Sequence, residues 1–582
     1  MPEYYSPGVH IEKTGREEKQ LEIVRTDCAV FFGVTERGPV NRAVGVNSFT
    51  DFKQKFGQFL PSTYLPYAVY GFFLNGGRKC YIVRVAHLNR RATEEILTPS
   101  SVQIGSVRKK PVFEVEAKSG GTWGNRISIE LSNSRPLVSS YLVSEASQSS
   151  DSISLESTHR FSRGDLLYLK GEEKRDFVQV EAIEGNRIRI VPGSLKNEYY
   201  EWDTVSVYAM RYDLDIKCGD IKEKFRNLSP TASASQSIVN KVNKDSQLVN
   251  IESLTAGNTV LLPAIGSYQL SEGKDGFSSL IPDDYIGLAE SDSYTGMALL
   301  DRIEEGRVIA LPDLYSHLNL PGFGGEEGIR AVIRNAIDRV ENGRYQFLLI
   351  DPPPNLSIRK AMKWRERIDS SYAATVWPWF KAKVYQSEAV LPVKPVPPSG
   401  YVAGMIARLD IEGGTHHSFA NHEIEGVVDS DSELTQYDTE MLNPEGINAV
   451  LAFPGRGIRV WGARTLSSDS AYRYVNVRRT FNMIAESIES GTQWVVFEPN
   501  DPSLWQEIKR HVSIFLRDLW RKGYLQGDSV EEAFYIKIDE ENNPAEIRDR
   551  GELIIEIGVA IVRPAEFIIV RVAQKTMETQ KE

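Results

Sequence analysis

The densest set of metal-binding side chains in this 582-residue chain lies in one short segment, GTHHSFANHE. Its candidate ligands are His416, His417, His422 and Glu423. Imidazole and carboxylate groups are ligands that zinc accepts, but they must converge on one point. The spacing differs from the paired histidines of a zinc-protease helix, and the preceding Gly413-Gly414 pair predicts a loop. We therefore predict no metal site here and no cofactor.

Other patterns that could carry catalysis are equally weak. The three cysteines, Cys28, Cys80 and Cys218, are far apart and odd in number, which fits neither a disulfide framework nor a paired metal site. Cys28 and Cys80 lie in apolar segments, which predicts buried, unreactive thiols. The sequence has no phosphate-binding glycine loop ending in Lys-Ser or Lys-Thr and no Gly-x-Ser-x-Gly turn. An enzyme would need a dispersed site, so we expect the chain not to be an enzyme.

The composition of the chain excludes further classes of protein. Hydrophobic residues make up 41% and charged residues 25%, which is usual for folded domains. The net charge of −11 argues against a nucleic-acid binder, because such proteins present a basic face. The longest apolar stretch, residues 553–562, is interrupted by Glu556 and is too short to span a bilayer. We expect a chain that is made in the cytoplasm and does not insert into a membrane.

The elements that would position such groups form a mixed α/β, multidomain pattern. Residues 1–25 contain a charged centre and predict an extended arm rather than core. Residues 28–34 and 80–85 predict buried strands, and residues 66–75 predict a helix that stops at the Gly76-Gly77 pair. This strand–helix–strand order predicts a parallel α/β unit.

The middle of the chain changes character. Short alternating segments separated by turn residues predict an antiparallel β-module, such as a barrel, inserted over residues 96–274. The α/β domain, begun at residues 26–95, then resumes over residues 275–400. Four prolines in residues 391–400 predict a domain boundary.

The last part predicts a C-terminal domain over residues 401–564 and a second arm over residues 565–582. Asp501 and Pro502 predict the start of a strong amphipathic helix, residues 502–522. Another helix, about residues 469–489, carries Arg478 and Arg479. A buried arginine needs a carboxylate, and we expect one of three nearby acids to supply it. These acids are Asp501, Glu498 and Glu552.

Several sequence blocks resemble the contractile tail sheath family of phage tails and phage-tail-like contractile injection systems. The blocks occur in the family's order, roughly over residues 1–95 and 280–582. They are PGVHIEK, AVFFGVTERGP (29–39), FFLNGGRKCYIVRV (72–85), INAVLAFPGRGIRVWGARTL (447–466), YVNVRRTF (474–481), WVVFEPNDPSLW (494–505) and RPAEFIIVRVAQ (563–574). No single block suffices, but their order across two separated regions is specific.

The resemblance implies a structural subunit that stacks as hexameric rings around an inner tube and contracts to drive the tube through a target envelope. The implied partners are other copies of the chain, the inner tube protein, the baseplate and a terminal cap. The particle would be a phage tail or an injection particle that is cytoplasmic, membrane-anchored or released. A non-contractile viral tube protein is an alternative, beside the enzyme with a dispersed site.

The resemblance also implies contacts between copies through terminal arms that add strands to a neighbour's sheet. The arm strands would be formed by Val9, His10, Ile11, Leu21, Ile23, Val24, Phe567, Ile568, Ile569, Val570, Arg571 and Val572. Four cations of helix 502–522 could contact an acidic inner tube, although a solvated polar face explains them equally well. They are Lys509, Arg510, Arg517 and Arg521.

Overall fold

The computed structural model describes residues 21–88, 96–106, 109–135, 139–255, 261–290, 293–343, 345–386, 389–390 and 392–566. The predicted arm strands at residues 9–11 and 567–572 lie outside these residues, so their structure stays a prediction.

The first part of the chain forms the predicted parallel α/β unit. Its elements are β1 (Ala29–Gly33), β2 (Ala43–Val46), α1 (Phe49–Phe56), α2 (Leu65–Leu74) and β3 (Cys80–Arg84). Strands β1 and β3 pair in parallel. Helix α2 ends just before Gly76, which takes φ +102°, and a Cβ there would lie 2.8 Å from Arg408. The glycine therefore serves both the helix end and a close contact.

The inserted region forms antiparallel sheets, as predicted, but as two lobes rather than one barrel. Its elements are β4 (Ser101–Gly105), β5 (Pro111–Ala117), β6 (Ser128–Asn133), β7 (Ser139–Tyr141), β8 (Ser152–Ser154), β9 (Leu166–Lys170), β10 (Arg175–Glu184), β11 (Arg187–Ile190), β12 (Ser206–Ala209), β13 (Tyr212–Cys218), β14 (Ile221–Leu228), α3 (Ile238–Asp245), β15 (Val249–Ser253) and β16 (Gly266–Gln269). A six-stranded sheet, β7-β12-β9-β10-β11-β8, encloses its own apolar core. The sheets β14-β13-β6-β16 and β15-β5-β4 enclose a second core.

The remaining central elements complete one large sheet and its helical layers. They are α4 (Pro282–Ile286), β17 (Val308–Ala310), α5 (Gly325–Asn342), β18 (Phe347–Ile350), α6 (Ile358–Arg365), β19 (Ala373–Trp377), β20 (Phe380–Ala382), β21 (Tyr385–Gln386), β22 (Ala389–Val390), β23 (Lys394–Val396), α7 (Ser399–Glu412), β24 (Val427–Ser430), α8 (Gln436–Leu442), β25 (Ile447–Phe453) and β26 (Gly457–Trp461).

The large sheet has eight strands in the order β2-β3-β1-β17-β18-β19-β25-β26. The six inner strands are parallel, and the edge strands β2 and β26 are antiparallel to their neighbours. Helices α1, α2 and α7 cover one face, and α4 and α5 cover the other. Strands buried on both faces need continuous apolar runs, which is the pattern that predicted them. The mixed α/β class is confirmed.

The domain boundary predicted at residues 400 and 401 cuts through this sheet layer and is corrected. Helix α7 and strands β25 and β26 lie beyond it, yet they belong to the sheet or its core. The proline-rich stretch instead supplies β23, an edge strand of the small sheet β23-β20-β24. Proline is tolerated at a sheet edge, so these residues do not interrupt the core. The other predicted domain limits stay predictions.

The C-terminal lobe contains the predicted long helix and a short strand pair. Its elements are α9 (Val475–Gly491), α10 (Pro502–Arg521), α11 (Val530–Ala533), β27 (Phe534–Lys537), α12 (Ala545–Asp549) and β28 (Glu556–Val559). The Asp501 side chain accepts a hydrogen bond from the Leu504 amide (2.9 Å) and caps α10, as predicted. Ile508, Val512 and Leu516 face the lobe core.

Two buried aspartates cap helices at the carboxyl edge of the large sheet. Asp313, after β17, accepts hydrogen bonds from the Val34 amide (2.7 Å) and from the Tyr64 and Leu65 amides at the start of α2. Asp351, after β18, accepts them from the Ser399 amide (2.9 Å) and hydroxyl at the start of α7. Burial raises the pKa of Asp313 to about 6, although the three amide donors oppose this shift.

Replacing Asp351 by asparagine should change how stability depends on pH. Burial raises the pKa of Asp351 from its ordinary value to about 7, so the folded chain holds a proton that the unfolded chain releases. The stability from this protonated form is complete below the unfolded pKa and is lost as pH rises toward about 7. Asparagine cannot ionise. The melting temperature of Asp351→Asn minus that of the wild type should therefore rise from about pH 5 to about pH 8.

The matched control is Asp338→Asn, which removes an exposed carboxylate of α5. The melting temperature of Asp338→Asn minus that of the wild type should change little with pH. A pH-independent difference for Asp351→Asn would contradict the assignment of the raised pKa to this group.

Candidate functional site

Helix α9 lies across the amino ends of three neighbouring strands of the large sheet. Each contact joins one turn of the helix to the residues just before one strand. The contacts are Glu486 with Arg307 before β17, the Asn482 side-chain amide with the Gln346 carbonyl before β18 (3.4 Å), and Arg478 with the Ser371 hydroxyl before β19 (2.8 Å). A helical pitch of about 5.4 Å nearly matches a strand spacing of about 4.8 Å. The C-terminal lobe therefore has a defined register on the sheet.

A buried ion pair fixes the same helix to α7. The Arg479 guanidinium contacts the Asp410 carboxylate (2.8 Å), and their side chains are only 7% and 3% exposed. Arg479 also donates a hydrogen bond to the Thr26 carbonyl (3.4 Å), just before β1. A charge pair this deeply buried is costly to separate, because either partner alone would lack compensation. It therefore ties the C-terminal lobe to the sheet and to the first strand.

The carboxylates predicted to pair with Arg478 and Arg479 were wrong. Arg479 uses Asp410, and the Arg478 guanidinium lies over the rings of Tyr472 (3.6 Å) and Tyr372 (4.3 Å). The reason is the direction in which α9 faces. Its arginine side meets the large sheet and α7, whereas the three predicted acids lie around α10 and α12. Sequence spacing within the last domain could not show this.

The N-terminal segment is anchored on α9. The Val24 amide donates a hydrogen bond to the Ser487 hydroxyl (3.1 Å), and Leu21 and Val24 contact the lobe core. A Cβ at position 491 would lie 1.9 Å from the Leu21 side chain, so Gly491 makes room for it. Residues 21–24 have no strand conformation. In the single chain, Leu21 and Val24 pack on their own lobe and Ile23 is exposed, so an arm strand formed by these residues with a neighbouring copy stays a prediction.

The C-terminal segment is anchored nearby. The Glu566 carboxylate binds the Arg464 guanidinium (Nε at 2.9 Å) and the Tyr474 hydroxyl (3.2 Å). Burial would raise the pKa of Glu566, but these donors hold it below its ordinary value. Asn476 of α9 also donates a hydrogen bond to the Val562 carbonyl (3.2 Å). The sequence does not predict the Arg464–Glu566 ion pair, because 102 residues separate its partners and no local spacing links them.

The C-terminal lobe contains a small sheet of two described strands. Strands β27 and β28 pair antiparallel, from Phe534 with Val559 to Lys537 with Glu556. Within the described ranges, each strand has one edge with no strand partner. Such edges bind extended chain segments readily, because their amide and carbonyl groups are free. The roots of both terminal segments belong to the same lobe.

The four predicted cations of α10 share its outward face. Lys509, Arg510, Arg517 and Arg521 are all exposed. In the part of the chain that the structure describes, none of them forms an ion pair with a carboxylate. The face therefore offers a row of available positive charge. Its partner is untested, so inner-tube contact stays a prediction.

The histidine-rich loop packs as a structural element. The His416 ring lies 4.3 Å from the His417 ring and 4.1 Å from the Tyr524 ring, between centroids. Burial, with His417 nearby, lowers the pKa of His416 to about 4. Among the described residues, no three candidate ligands are grouped as a metal would require. Cys28 and Cys80 are buried, and burial raises the pKa of both thiols, that of Cys28 to about 12.

None of the helices in the described ranges combines the length and the apolar character that crossing a bilayer requires.

Family comparisons identify similar proteins. Residues 313–466 match the phage tail sheath protein central domain, and residues 467–575 match the phage tail sheath C-terminal domain. The chain is 27% identical over 284 residues to the tail sheath protein of Vibrio phage KVP40, covering 44% of this chain and 41% of that protein. It is 32% identical over 179 residues to the tail sheath protein of Burkholderia phage BcepMu, covering 29% and 36%. The chain thus spans less than half the length of these two relatives.

A likeness in fold extends over the whole chain. The sheath of an extracellular contractile injection system, the PVC sheath complex in the contracted state, superposes with a TM-score of 0.51. The match covers 99% of both chains at 17% identity. At this identity the likeness concerns the fold, including the mixed sheet and helix arrangement.

Replacing Arg479 by methionine should strongly destabilise the C-terminal lobe. The change leaves Asp410 buried without its cation, which we expect to cost about 3–5 kcal/mol. Asp410→Asn together with Arg479→Met should cost less than the sum of the two single changes, by about 1 kcal/mol or more. The measurement is a double-mutant cycle on the calorimetric transition that includes this lobe.

The matched control breaks an exposed ion pair of the same lobe, Arg550 with Glu552. Arg550→Met should cost less than about 1 kcal/mol. Additive effects of the two changes at Asp410 and Arg479 would contradict a buried pair.

Proposed function

We infer that this chain, which belongs to the contractile tail sheath family, polymerises as stacked hexameric rings around an inner tube and contracts to drive that tube through a target envelope. It is a tail sheath component of a phage or of a contractile injection system. The shared anchoring of both terminal segments on α9 carries the proposal, because it lies beside a sheet whose outer edges have no strand partner among the described residues. A subunit that links to neighbours through its ends needs this arrangement.

Strand exchange between copies is the proposed link. Residues 9–11 and 567–572 would each extend from a fixed root and add a strand to the β27–β28 sheet of a neighbour. A strand of about six residues forms several backbone hydrogen bonds, each contributing about 0.5–1.5 kcal/mol net. Buried apolar side chains add roughly 25 cal/mol per Å². Such a link holds while the folded domains rotate against one another.

Contraction would be possible because the arms and the folded domains have separate roles. The arms keep copies connected, and the domains exchange one set of contacts for another. We propose a kinetically trapped extended form and a contracted form that buries more surface, so contraction is downhill. The register of α9 on the sheet would let each copy move as one body. A non-contractile viral tube protein would show a single lattice state instead.

The tube and the end complexes complete the proposed set of partners. An acidic inner tube would bind the basic face of α10 through complementary charge, which also aligns copies during assembly. A baseplate at one end and a cap at the other would nucleate and terminate the polymer. Assembly would take place in the bacterial cytoplasm, within a phage tail or a tail-like particle.

The structure disfavours the alternative of an enzyme with a dispersed site. Open parallel sheets bind ligands at the carboxyl edge, where the order of strands reverses. Here that position lies between β1 and β17. The Asp313 side chain fills it and uses the nearby amide donors for itself.

Removing either arm should leave a folded chain that forms no tubes. The deletions are residues 1–20 and residues 567–582, which spare the anchored Val24 and Glu566. Each deletion should keep the melting temperature of the domains but abolish tubes in negative-stain microscopy, because copies lose their strand link. Normal tubes from both deletions would refute strand exchange.

Two matched double variants distinguish the effect of arm length on tube formation from the effect of strand pairing. Val9→Pro with Ile11→Pro keeps the length but removes two backbone donors, and should abolish tubes. Val9→Thr with Ile11→Thr keeps the donors and the strand preference, and should form tubes.

Reversing the charge of α10 should block assembly on the tube. Arg510→Glu with Arg517→Glu places two acids on the outward face, and like charges repel the proposed acidic tube. The amount of protein that cosediments with co-expressed inner tube should fall by about tenfold or more. Lys196→Glu with Lys244→Glu, on exposed positions of the inserted lobes, is the charge-matched control. Unchanged cosedimentation would show that the basic face is only solvated.

A further inference from the structure

A groove with an apolar floor lies between helices α5 and α6, far along the chain from the arms and from α10. Its volume is about 560 Å³. Ile333 and Ile337 of α5 and Trp364 of α6 line the floor. A cleft of this size between two helices fits apolar side chains from another protein surface. We name it the α5–α6 groove.

The α6 side of this groove is strongly basic. Lys360, Lys363 and Arg367 form its rim and are exposed. Across the described residues, these three cations make no ion pair with a carboxylate. On the α5 side, by contrast, Arg330 already pairs with Glu326 and Glu327. One rim of the groove therefore carries positive charge that no carboxylate among the described residues pairs with, and this rim favours an acidic occupant.

The chain carries a surface with the complementary properties on α8 and the loop before it. Tyr437 and Met441 are 70% and 39% exposed and stand one helical turn apart. Asp431 and Glu433 lie in the preceding loop and Glu440 lies on α8 itself. None of the three forms an ion pair within 4.0 Å among the residues described, and Lys381 attracts Asp431 and Glu433 from a longer distance. Tyr437 and Met441, together with these three carboxylates, form what we name the α8 patch.

We propose that the α8 patch of one copy docks in the α5–α6 groove of the next copy in the sheath. Tyr437 and Met441 would cover the apolar floor, and the carboxylates would face the lysines and arginine of the rim. This contact rests on the proposed function, because it requires copies to be neighbours. It adds a link between folded bodies that is independent of the arms.

The geometry suits a growing polymer rather than a closed dimer. In one chain, α6 separates the two surfaces: Ala361 faces α8, whereas Lys363 and Trp364 line the groove. Patch and groove are thus different surfaces, and each copy offers one of each. A contact of this heterologous type repeats from copy to copy and generates rings or helices.

Charge reversal on either surface should weaken assembly. The groove variant is Lys360→Glu with Lys363→Glu, and the patch variant is Asp431→Lys with Glu433→Lys. Each should raise the protein concentration needed for tubes, measured by sedimentation with inner tube, by at least about tenfold. The neutral variant Lys360→Gln with Lys363→Gln should raise it by about threefold and serves if an acidic variant does not fold.

Mixing the two reversed variants is the decisive measurement. In the mixture, an acidic groove meets a basic patch and a basic groove meets an acidic patch, so tubes should form near the wild-type concentration. A defect within one chain could not be rescued by a second chain. The control Lys196→Glu with Lys244→Glu should assemble as the wild type does. When it is mixed with either variant, it should form tubes alone and leave that variant in the supernatant.

Three results would overturn the contact. They are assembly of both variants at the control concentration, a mixture that fails although each chain keeps the wild-type melting temperature, and rescue by the control. If the wild-type chain forms no tubes, the proposed function fails and the contact fails with it. If the wild type forms tubes and the variants do too, only the contact fails.

Discussion

The buried pair of Arg479 and Asp410 is the interaction on which the arrangement of this protein depends. It joins α9 to α7, and through α7 to the layer that packs on the large sheet. The same helix holds the N-terminal segment through Ser487 and the C-terminal segment through Asn476. Polar contacts set a register that apolar packing alone would leave free to slide. One helix thereby fixes the sheet, the C-terminal lobe and both roots relative to one another.

The two edges of the parallel sheet are used for different purposes. At the carboxyl edge, aspartates that follow β17 and β18 cap α2 and α7, which pack on each other. That edge is sealed by its own side chains. At the amino edge, α9 adds a separate lobe through hydrogen bonds and ion pairs. Capping aspartates thus occupy the edge where related sheet architectures bind small molecules, and the opposite edge carries α9 with the roots of both terminal segments.

Much of the fold could be predicted from local pattern, and little of the site could. Apolar runs and glycine stops located β1, α2 and β3, and the Asp501-Pro502 pair located the start of α10. Those signals act over a few residues. The partners of Arg479 and Arg464 lie 69 and 102 residues away in the sequence. No local sequence pattern around either arginine predicts its partner. The proline-rich stretch led to a wrong prediction of a domain boundary, because an edge strand tolerates proline as well as a linker does.

The nested insertion gives this chain a site at which it can be engineered. The lobe of residues 139–209 enters and leaves through neighbouring strands, since Ser139 pairs with Tyr208 and Ser140 with Val207. Its apolar core is its own. A cassette with adjacent ends can be exchanged for another folded module at little cost to the host, because the two junctions already meet. Each chain then offers one insertion site for a grafted receptor or label.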